Sequence, residues 1–206
     1  MKTIVLATSN PGKLREIQRE LTGLDVRVLS LADLPALPEP VEDGATFEAN
    51  ARLKARAYSL ASGHWCLADD SGLVVDALAG APGVFSARFA ADRCPPGAPR
   101  ETLDRANNAL LLERLAATPD EGRSARFVCC LALADGERIV LETRGEVHGR
   151  IARRPAGSNG FGYDPLFLLS ERGVTTAQLS PAEKNAISHR GRAVRQFREM
   201  LEQLLK

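Results

Sequence analysis

Short apolar runs and helically spaced apolar residues follow one another along this chain, and the pattern predicts an α/β protein. The run at Lys2–Ala7 is rich in β-branched residues, which favours a strand. The next apolar positions recur every three or four residues, a spacing that predicts a helix. They are Leu14, Ile17, Leu21 and Leu24. Another short run at Val26–Ser30 predicts a second strand, so the chain opens as strand, helix, strand.

A second helix is predicted after the proline-containing loop Leu34–Gly44. Thr46 is a residue type that caps helix N-termini, and the helix is expected to run through Tyr58 toward Gly63. Glu48 would lie in its first turn, where a negative charge suits the helix dipole.

The remainder of the chain predicts more strands and two further helices. Apolar pieces at Trp65–Ala68 and Leu73–Val75 are expected to flank an acidic turn, and a helix is predicted over Glu101–Ala117. The segments Ala125–Leu133 and Arg138–Val147 are separated by Asp-Gly, which predicts a hairpin. A closing helix presents one apolar face near the C-terminus. Strands that alternate with helices and then form a hairpin favour an α/β fold with a mixed sheet.

Composition narrows the class of protein. A chain of 206 residues suits one domain with room for two lobes, so we assign 1–206 to a single domain. The 27 basic and 26 acidic residues nearly balance, which argues against nucleic-acid binding through overall charge. The four cysteines form no CxxC pair, and no apolar run is long enough to span a membrane. These features predict a reduced, cytoplasmic protein.

The polar block TSNPGK follows the first strand. Asn10 suits the N-cap, Pro11 suits the first helical position, and Gly12 lets a ligand approach the backbone. Free N–H groups there, together with Lys13, favour an anion. The block is not a Walker P-loop, because Ala7 and Leu14 stand where that motif needs Gly and Ser or Thr. The alternative is an ordinary capped helix start.

The block DDSG supplies adjacent carboxylates at Asp69 and Asp70. Mg²⁺ binds through one or two carboxylates together with substrate phosphates, and Glu42 is a candidate for a further oxygen. Because neighbouring acids repel each other, one of them is expected to have a raised pKa that suits a general base. The alternative is a solvated acidic turn. Lys54 on the second helix shares a face with Asn50.

The block GFGYDP places Phe161 between two glycines, which exposes an aromatic ring for base stacking, and Asp164 can accept from a ring N–H. A glycine-rich bulge with core aromatics is the alternative. The block SHR offers His189 and Arg190, and the guanidinium of Arg190 suits a carbonyl oxygen or a phosphate.

Together these blocks resemble the inosine triphosphate pyrophosphatase family, which acts on deaminated purine nucleotides. The resemblance is carried by ATSNPGKLREI, TFEANARLKA, LADDSGLVVDALAGAPGVFSARF, GFGYDPLF and LSPAEKNAISHRGRA, and covers nearly the whole chain. It implies a mixed twisted sheet with flanking helices, two lobes around a substrate cleft, a homodimer and Mg²⁺. The implied reaction converts a nucleoside triphosphate and water to the monophosphate and pyrophosphate.

The resemblance also implies roles for individual residues. Asp70 is the expected proton acceptor and a metal ligand, Glu42 is the second ligand, and Asp69 is a further candidate ligand. The substrate-binding residues implied are Thr8, Ser9, Asn10, Pro11, Gly12, Lys13, Lys54, Ser71, Phe161, Gly162, Tyr163, Asp164, Lys184, His189 and Arg190.

Selectivity is expected to depend on purine position 6. If Arg190 or His189 donates to O6 while Asp164 accepts from N1–H, an adenine base leaves these groups unpaired. Two alternatives stay open at this point. One is a Maf-like pyrophosphatase for modified pyrimidine nucleotides, and the other is a nucleotide-binding regulator without turnover.

Overall fold

The structure is a computed structural model that describes residues 1–206. It contains one mixed seven-stranded sheet with the order β2-β1-β3-β4-β5-β6-β7. Its strands are β1 (Lys2–Ala7), β2 (Val26–Ser30), β3 (Trp65–Val75), β4 (Ser124–Asp135), β5 (Arg138–Ile151), β6 (Phe167–Leu169) and β7 (Val174–Thr175). Its α-helices are α1 (Pro11–Leu21), α2 (Phe47–Ser62), α3 (Arg100–Arg114), α4 (Pro181–Ile187) and α5 (His189–Leu204). Strand β1 runs parallel to β2 and β3, whereas β6 is antiparallel to β5 and β7.

The chain divides into two compact units. The first unit comprises Met1–Ser71, Cys129–Gly145 and His189–Lys206. The second unit comprises Gly72–Val128 and Glu146–Ser188. Each unit has a hydrophobic core of its own. The mixed sheet with flanking helices that the sequence predicted is therefore confirmed.

The first unit packs helices α1 and α5 around the parallel strands. Ile17 and Leu21 on α1, and Phe197 and Leu201 on α5, are buried with Ile4 and other strand residues in one cluster. These helical residues are spaced by four, so each pair lies on one face. The first core thus fixes the two helices that begin at Pro11 and His189.

The core of the second unit joins α3 to strand residues of the same unit. Leu111 of α3 and Leu115, which follows the helix, are fully buried in this core. Phe127 and Phe167 lie in the same core, and their ring centroids are 4.5 Å apart. This packing fixes the position of α3 within the second unit.

Helix α2 confirms its sequence signals. Thr46 accepts a hydrogen bond from the N–H of Ala49, and Gly63 ends the helix in the left-handed region. The hairpin of β4 and β5 also forms as predicted, although β5 runs four residues further. Helix α1 ends at Leu21, so Leu24 packs against the core from outside the helix. None of the helices combines the length and apolarity needed to cross a bilayer.

The prediction of an acidic turn at Asp69 and Asp70 is wrong. Strand β3 runs without interruption from Trp65 to Val75, so Asp69 and Asp70 lie in the middle of a strand rather than in a loop. The strand continues because these two carboxylates find cationic partners, which removes the need for solvent at that point.

Helix α5 provides a test of the first core. Replacing Phe197, which is fully buried, with Ala should lower the free energy of unfolding by about 3–5 kcal/mol, because it leaves a cavity in packed surroundings. Leu204→Ala on the same helix removes a side chain that is 44% exposed, and should change this free energy by less than ~0.5 kcal/mol. Urea unfolding measures both variants. Equal effects would contradict the assignment of Phe197 to the core.

Candidate active site

Strand β3 separates the two neighbouring carboxylates of the first unit. Successive side chains of a strand point to opposite faces of the sheet. Asp69 accordingly contacts Lys13 of α1 and Arg190 of α5, while Asp70 contacts Lys54 of α2. The two acids therefore have different surroundings despite being adjacent in sequence.

Asp69 is the centre of a buried ion cluster. Its side chain is fully buried and forms ion pairs with Lys13 and with Nε of Arg190, the latter at 3.0 Å. The guanidinium of Arg190 also donates to Oε2 of Glu16 at 2.6 Å. Burial opposes ionisation of Asp69, but Lys13 and Arg190 outweigh it and hold its pKa well below the ordinary value. Asp69 is thus ionised at neutral pH and links two helices through its charge.

Two further donors complete the surroundings of Asp69. The hydroxyl of Ser71 donates to its Oδ1 at 2.9 Å, and the thiol of Cys129 donates to Oδ2 at 3.2 Å. Burial raises the pKa of Cys129, so it remains a thiol and can donate. All four cysteines of the chain are free thiols.

Asp70 is only partly satisfied. Its Oδ1 accepts from Nζ of Lys54 at 3.2 Å, whereas its buried Oδ2 has no hydrogen-bond partner. Burial raises the pKa of Asp70, and the charge of Asp69 adds to this, whereas Lys54 and Lys13 act in the opposite direction. The predicted raised pKa is confirmed, but its main cause is desolvation rather than repulsion between the neighbours.

Lys54 lies between two carboxylates. Its Nζ is 3.2 Å from Oδ1 of Asp70 and 3.1 Å from Oε2 of Glu42. Burial disfavours the charge on Lys54, but Asp70, Glu42 and Asp69 outweigh this effect and raise its pKa. The carboxylates around Lys54 therefore favour a positive charge at this position.

The donor set around Lys54 fits Mg²⁺. Glu42 and Asp70 are oxygen ligands of the kind that Mg²⁺ prefers, and the orphaned Oδ2 of Asp70 is available as a ligand atom. No group of three or more His, Cys, Asp or Glu side chains is gathered for a metal. Two carboxylates suffice when substrate phosphates and water supply the other ligands.

Helix α2 also positions the loop that carries Glu42. The buried side chain of Asn50 accepts from the N–H of Gly44 at 2.8 Å. Because Asn50 and Lys54 are one turn apart, the same helix face holds both the loop and the ammonium. The sequence places these two residues on one face but does not reveal the contact to Gly44.

The start of α1 corrects one expectation. Asn10 caps the helix as predicted, but its Oδ1 accepts from the N–H groups of both Gly12 and Lys13, at 2.9 and 3.3 Å. The hydroxyl of Thr8 in turn accepts from the N–H of Asn10. The expectation of free N–H groups at this helix start is therefore wrong for Gly12 and Lys13, because the cap uses them, while binding of an anion at this turn stays a prediction. The exposed Ser9 and Pro11 lie at the same turn.

The second unit gathers its polar residues around Asp164. Its Oδ2 accepts from the N–H of Phe161 at 2.8 Å and from Nζ of Lys184 at 2.5 Å, while Oδ1 accepts from the hydroxyl of Thr176 at 2.9 Å. Gly160 has a φ of +81°, and a Cβ atom on it would also collide with the carboxylate of Asp164, so this turn requires glycine. Asp164 therefore connects the loop that contains Phe161 to Lys184 through hydrogen bonds to both.

Phe161 and Tyr163 have different surroundings. The ammonium of Lys184 lies 4.9 Å from the ring centroid of the half-buried Phe161. Tyr163 is buried, its hydroxyl donates to the carbonyl of Ser86 at 3.0 Å, and burial raises its pKa. Tyr163 is thus a core residue that anchors the loop, whereas Phe161 supplies the ring.

The structure groups the predicted residues by unit. Lys13, Glu42, Lys54, Asp69, Asp70, Ser71 and Arg190 meet in the first unit, and Phe161, Gly162, Asp164 and Lys184 meet in the second. His189 is the buried first residue of α5. Glu16 and Thr176 were not predicted as site residues. Glu16 lies three residues after Lys13 on the same helix face, and this spacing could have indicated that it belongs to the site. Thr176 begins a short helical turn that Thr175 and Gln178 cap, and this capping box is a sequence signal for the turn but not for the contact with Asp164.

Comparison with known proteins finds full-length similarity. A model of the Ham1 family matches residues 4–200. A dITP/XTP pyrophosphatase of Exiguobacterium sibiricum is 50% identical and covers 96% of each chain, and one of Geobacter sulfurreducens is 49% identical and covers 98% of this chain and 97% of its own. The structure of a HAM1 protein from Coxiella burnetii superposes with a TM-score of 0.88 at 42% identity, over 98% of this chain and all of that one.

The buried cluster of Asp69 predicts a strong effect on stability. Asp69→Asn leaves Lys13 without its counter-charge and leaves Arg190 with Glu16 alone, so it should lower the free energy of unfolding by about 3 kcal/mol at pH 7. Glu142→Gln breaks an exposed pair with Arg52 and should cost less than ~1 kcal/mol. Urea unfolding at a series of pH values measures both variants.

The sign of the pH dependence follows from the lowered pKa of Asp69. Its contribution is complete above the pKa of the unfolded chain, near 3.8, and is lost as the pH falls toward the lower pKa of the folded state. The difference between wild type and Asp69→Asn should therefore shrink below about pH 4. A difference that stayed constant with pH would show that Asp69 is not ionised in the folded protein.

Proposed function

Because this chain belongs to the Ham1 family, we propose that it hydrolyses the deaminated purine nucleoside triphosphates ITP, dITP and XTP. The products are the nucleoside monophosphate and pyrophosphate, so the activity removes these nucleotides from the cellular pool. The observation that carries the proposal is the partly satisfied Asp70, whose pKa is raised and whose Oδ2 has no partner, beside Lys54 and Glu42. A carboxylate with these properties is better suited to act as a general base than to serve only as the partner in a structural ion pair.

In the proposed reaction, Asp70 accepts a proton from the water that attacks the α-phosphorus. The bond from the water oxygen to phosphorus forms while the bond from phosphorus to the pyrophosphate oxygen breaks. Lys13 and Lys54 supply positive charge for the triphosphate, since phosphoryl transfer depends mainly on positioning and charge stabilisation. Asp69 and Arg190 keep Lys13 and strand β3 in place for this step.

Glu42 and Asp70 would hold Mg²⁺, and Asp69 is the weaker candidate because its oxygens already accept from Lys13, Arg190 and Ser71. When bound, the ion would neutralise charge on the phosphate oxygens.

For the base, the proposal assigns stacking to Phe161 and donation to Lys184. A lysine ammonium only donates, so it pairs with the 6-carbonyl of hypoxanthine or xanthine and not with the 6-amino group of adenine. This changes the sequence-based hypothesis. Both oxygens of Asp164 are already engaged, and Arg190 is ion-paired with Asp69 and Glu16 in the first unit.

We also propose a homodimer in the cytoplasm, with no nucleic acid or membrane as partner. The near-balance of charge supports the absence of a nucleic-acid partner, and the four free cysteines are consistent with a reducing compartment. Sedimentation equilibrium of the purified chain measures the oligomeric state.

Release of pyrophosphate from a set of nucleotides tests the function. ITP, dITP and XTP should be hydrolysed in the presence of Mg²⁺ with kcat/KM at least ~10²-fold above the values for ATP, GTP and pyrimidine triphosphates. Chelation of the metal should abolish turnover. A preference for modified pyrimidine nucleotides would favour a Maf-like activity, and binding without release would favour a regulator; either result contradicts the proposal.

The base role of Asp70 has its own test. Asp70→Asn keeps the shape of the side chain but cannot accept the proton, so kcat should fall by about 10²- to 10⁴-fold. Asp135→Asn is the matched control, because Asp135 is an exposed carboxylate of the same unit at the end of β4. Single-turnover rates with dITP measure both variants. Wild-type turnover in Asp70→Asn would reject the role.

Lys184 tests the selectivity hypothesis. Lys184→Met keeps much of the side-chain volume but removes the donor, so the ratio of kcat/KM for dITP to that for dATP should fall by about 10²-fold. Lys206→Met at the exposed C-terminus is the control. Thermal unfolding of both variants separates selectivity from stability. An unchanged ratio in a folded Lys184→Met variant would contradict the assignment.

A further inference from the structure

The loop that carries Phe161 is held by a helix to which no role has been assigned. Two side chains of α3, Asp104 and Asn108, reach the peptide groups of Gly162. The N–H of Gly162 donates to Oδ2 of Asp104 at 2.9 Å, and the carbonyl of Gly162 accepts from Nδ2 of Asn108 at 2.9 Å. Asp104 and Asn108 are four positions apart in the sequence, so they lie on one face of α3, and both bind Gly162 from that face.

The backbone conformation of Gly162 needs contacts of this kind to hold it. Its φ is +63°, a conformation that glycine adopts easily but does not hold on its own, because glycine has many alternatives. A carboxylate that accepts from a backbone N–H forms a charge-assisted bond, which is stronger than a bond between neutral groups. Asp104 is mostly buried and is oriented by Nε of Arg100 at 2.8 Å. Arg100 therefore orients the carboxylate of Asp104 through a contact that does not involve the loop.

Helix α3 is itself fastened next to the loop. The buried Asn107 accepts from the N–H of Ala90 at 2.8 Å and donates to the carbonyls of Ser86 and Ala87. The carbonyl of Ser86 also accepts from the hydroxyl of Tyr163. The loop is thus anchored at Gly162 and at Tyr163, the two residues that follow Phe161.

We infer that Asp104 and Asn108 are positioning residues that set base selectivity by fixing the Gly162 peptide, and this inference rests on the proposed function. Phe161 precedes Gly162, and the N–H of Phe161 donates to Asp164, which also binds Lys184. A shift of the Gly162 peptide moves the stacking ring relative to the ammonium that would read position 6. A displacement of about 1 Å at such a contact can cost about 10²-fold.

Four variants test the inference. Asp104→Ala removes the acceptor for Gly162, Asp104→Asn retains an acceptor oxygen without the charge, and Asn108→Ala removes the donor to the carbonyl. Arg105→Ala is the control on the same helix, because Arg105 is exposed and pairs only with Glu101 and Thr102. The measurements are kcat and KM for dITP and dATP, together with the melting temperature.

We expect Asp104→Ala and Asn108→Ala to raise KM for dITP and to lower the dITP/dATP ratio of kcat/KM by about 10- to 100-fold. Asp104→Asn should recover most of that ratio, and Arg105→Ala should match the wild type. A loss of stability alone would lower the active fraction, reducing apparent kcat for both nucleotides without changing their ratio. If Asp104→Ala does not fold, Asn108→Ala carries the test.

Failure of the inference and failure of the proposed function give different results. If the wild type does not prefer dITP to dATP, the proposed function is wrong. If the wild type has this preference and folded Asp104→Ala and Asn108→Ala variants keep it, the positioning role is wrong. An Asp104→Asn variant as unselective as Asp104→Ala would also overturn the role of the acceptor.

Discussion

Asp69 is a fully buried carboxylate that stays ionised because Lys13 and Arg190 contact it. Removing a carboxylate from water costs several kcal/mol, and only well-placed opposite charges offset that cost. The cluster joins α1, β3 and α5 through one side chain. It also allows β3 to carry two acids without breaking into a turn, which leaves Asp70 on the opposite face of the strand. Asp70 gains its raised pKa there because it is buried with a single ammonium partner rather than two cations.

The second unit uses the same principle with a different result. Asp164 engages both of its oxygens with a backbone N–H, a hydroxyl and Lys184, so a buried carboxylate again organises its neighbours. Here the organised groups are an aromatic ring and a donor, which suit recognition of a base rather than proton transfer.

Much of this arrangement was predictable from sequence. The Asn10 and Thr46 caps and the Asp-Gly hairpin are local signals, because the residues that form them lie within a few positions of each other. The continuous β3 was not predictable, since it depends on cations that are distant in sequence. The contact of Arg190 with Asp69 spans 121 positions. The turn at Thr176 carries a capping box of Thr175 and Gln178, but that local pattern does not predict the contact of Thr176 with Asp164. Long-range electrostatic partners decide these cases, and spacing does not reveal them.

Titration of the two neighbouring carboxyls in the metal-free protein tests the central claim most directly. Carbon NMR of labelled aspartate resolves the side chains of Asp69 and Asp70 individually, with Asp69→Asn and Asp70→Asn for assignment. We expect Asp70 to take up its proton at a higher pH than an ordinary aspartate, and Asp69 to stay ionised well below that range. Titration of both carboxyls at the ordinary value, or in the reverse order, would contradict the division of the pair into an anchor and a base.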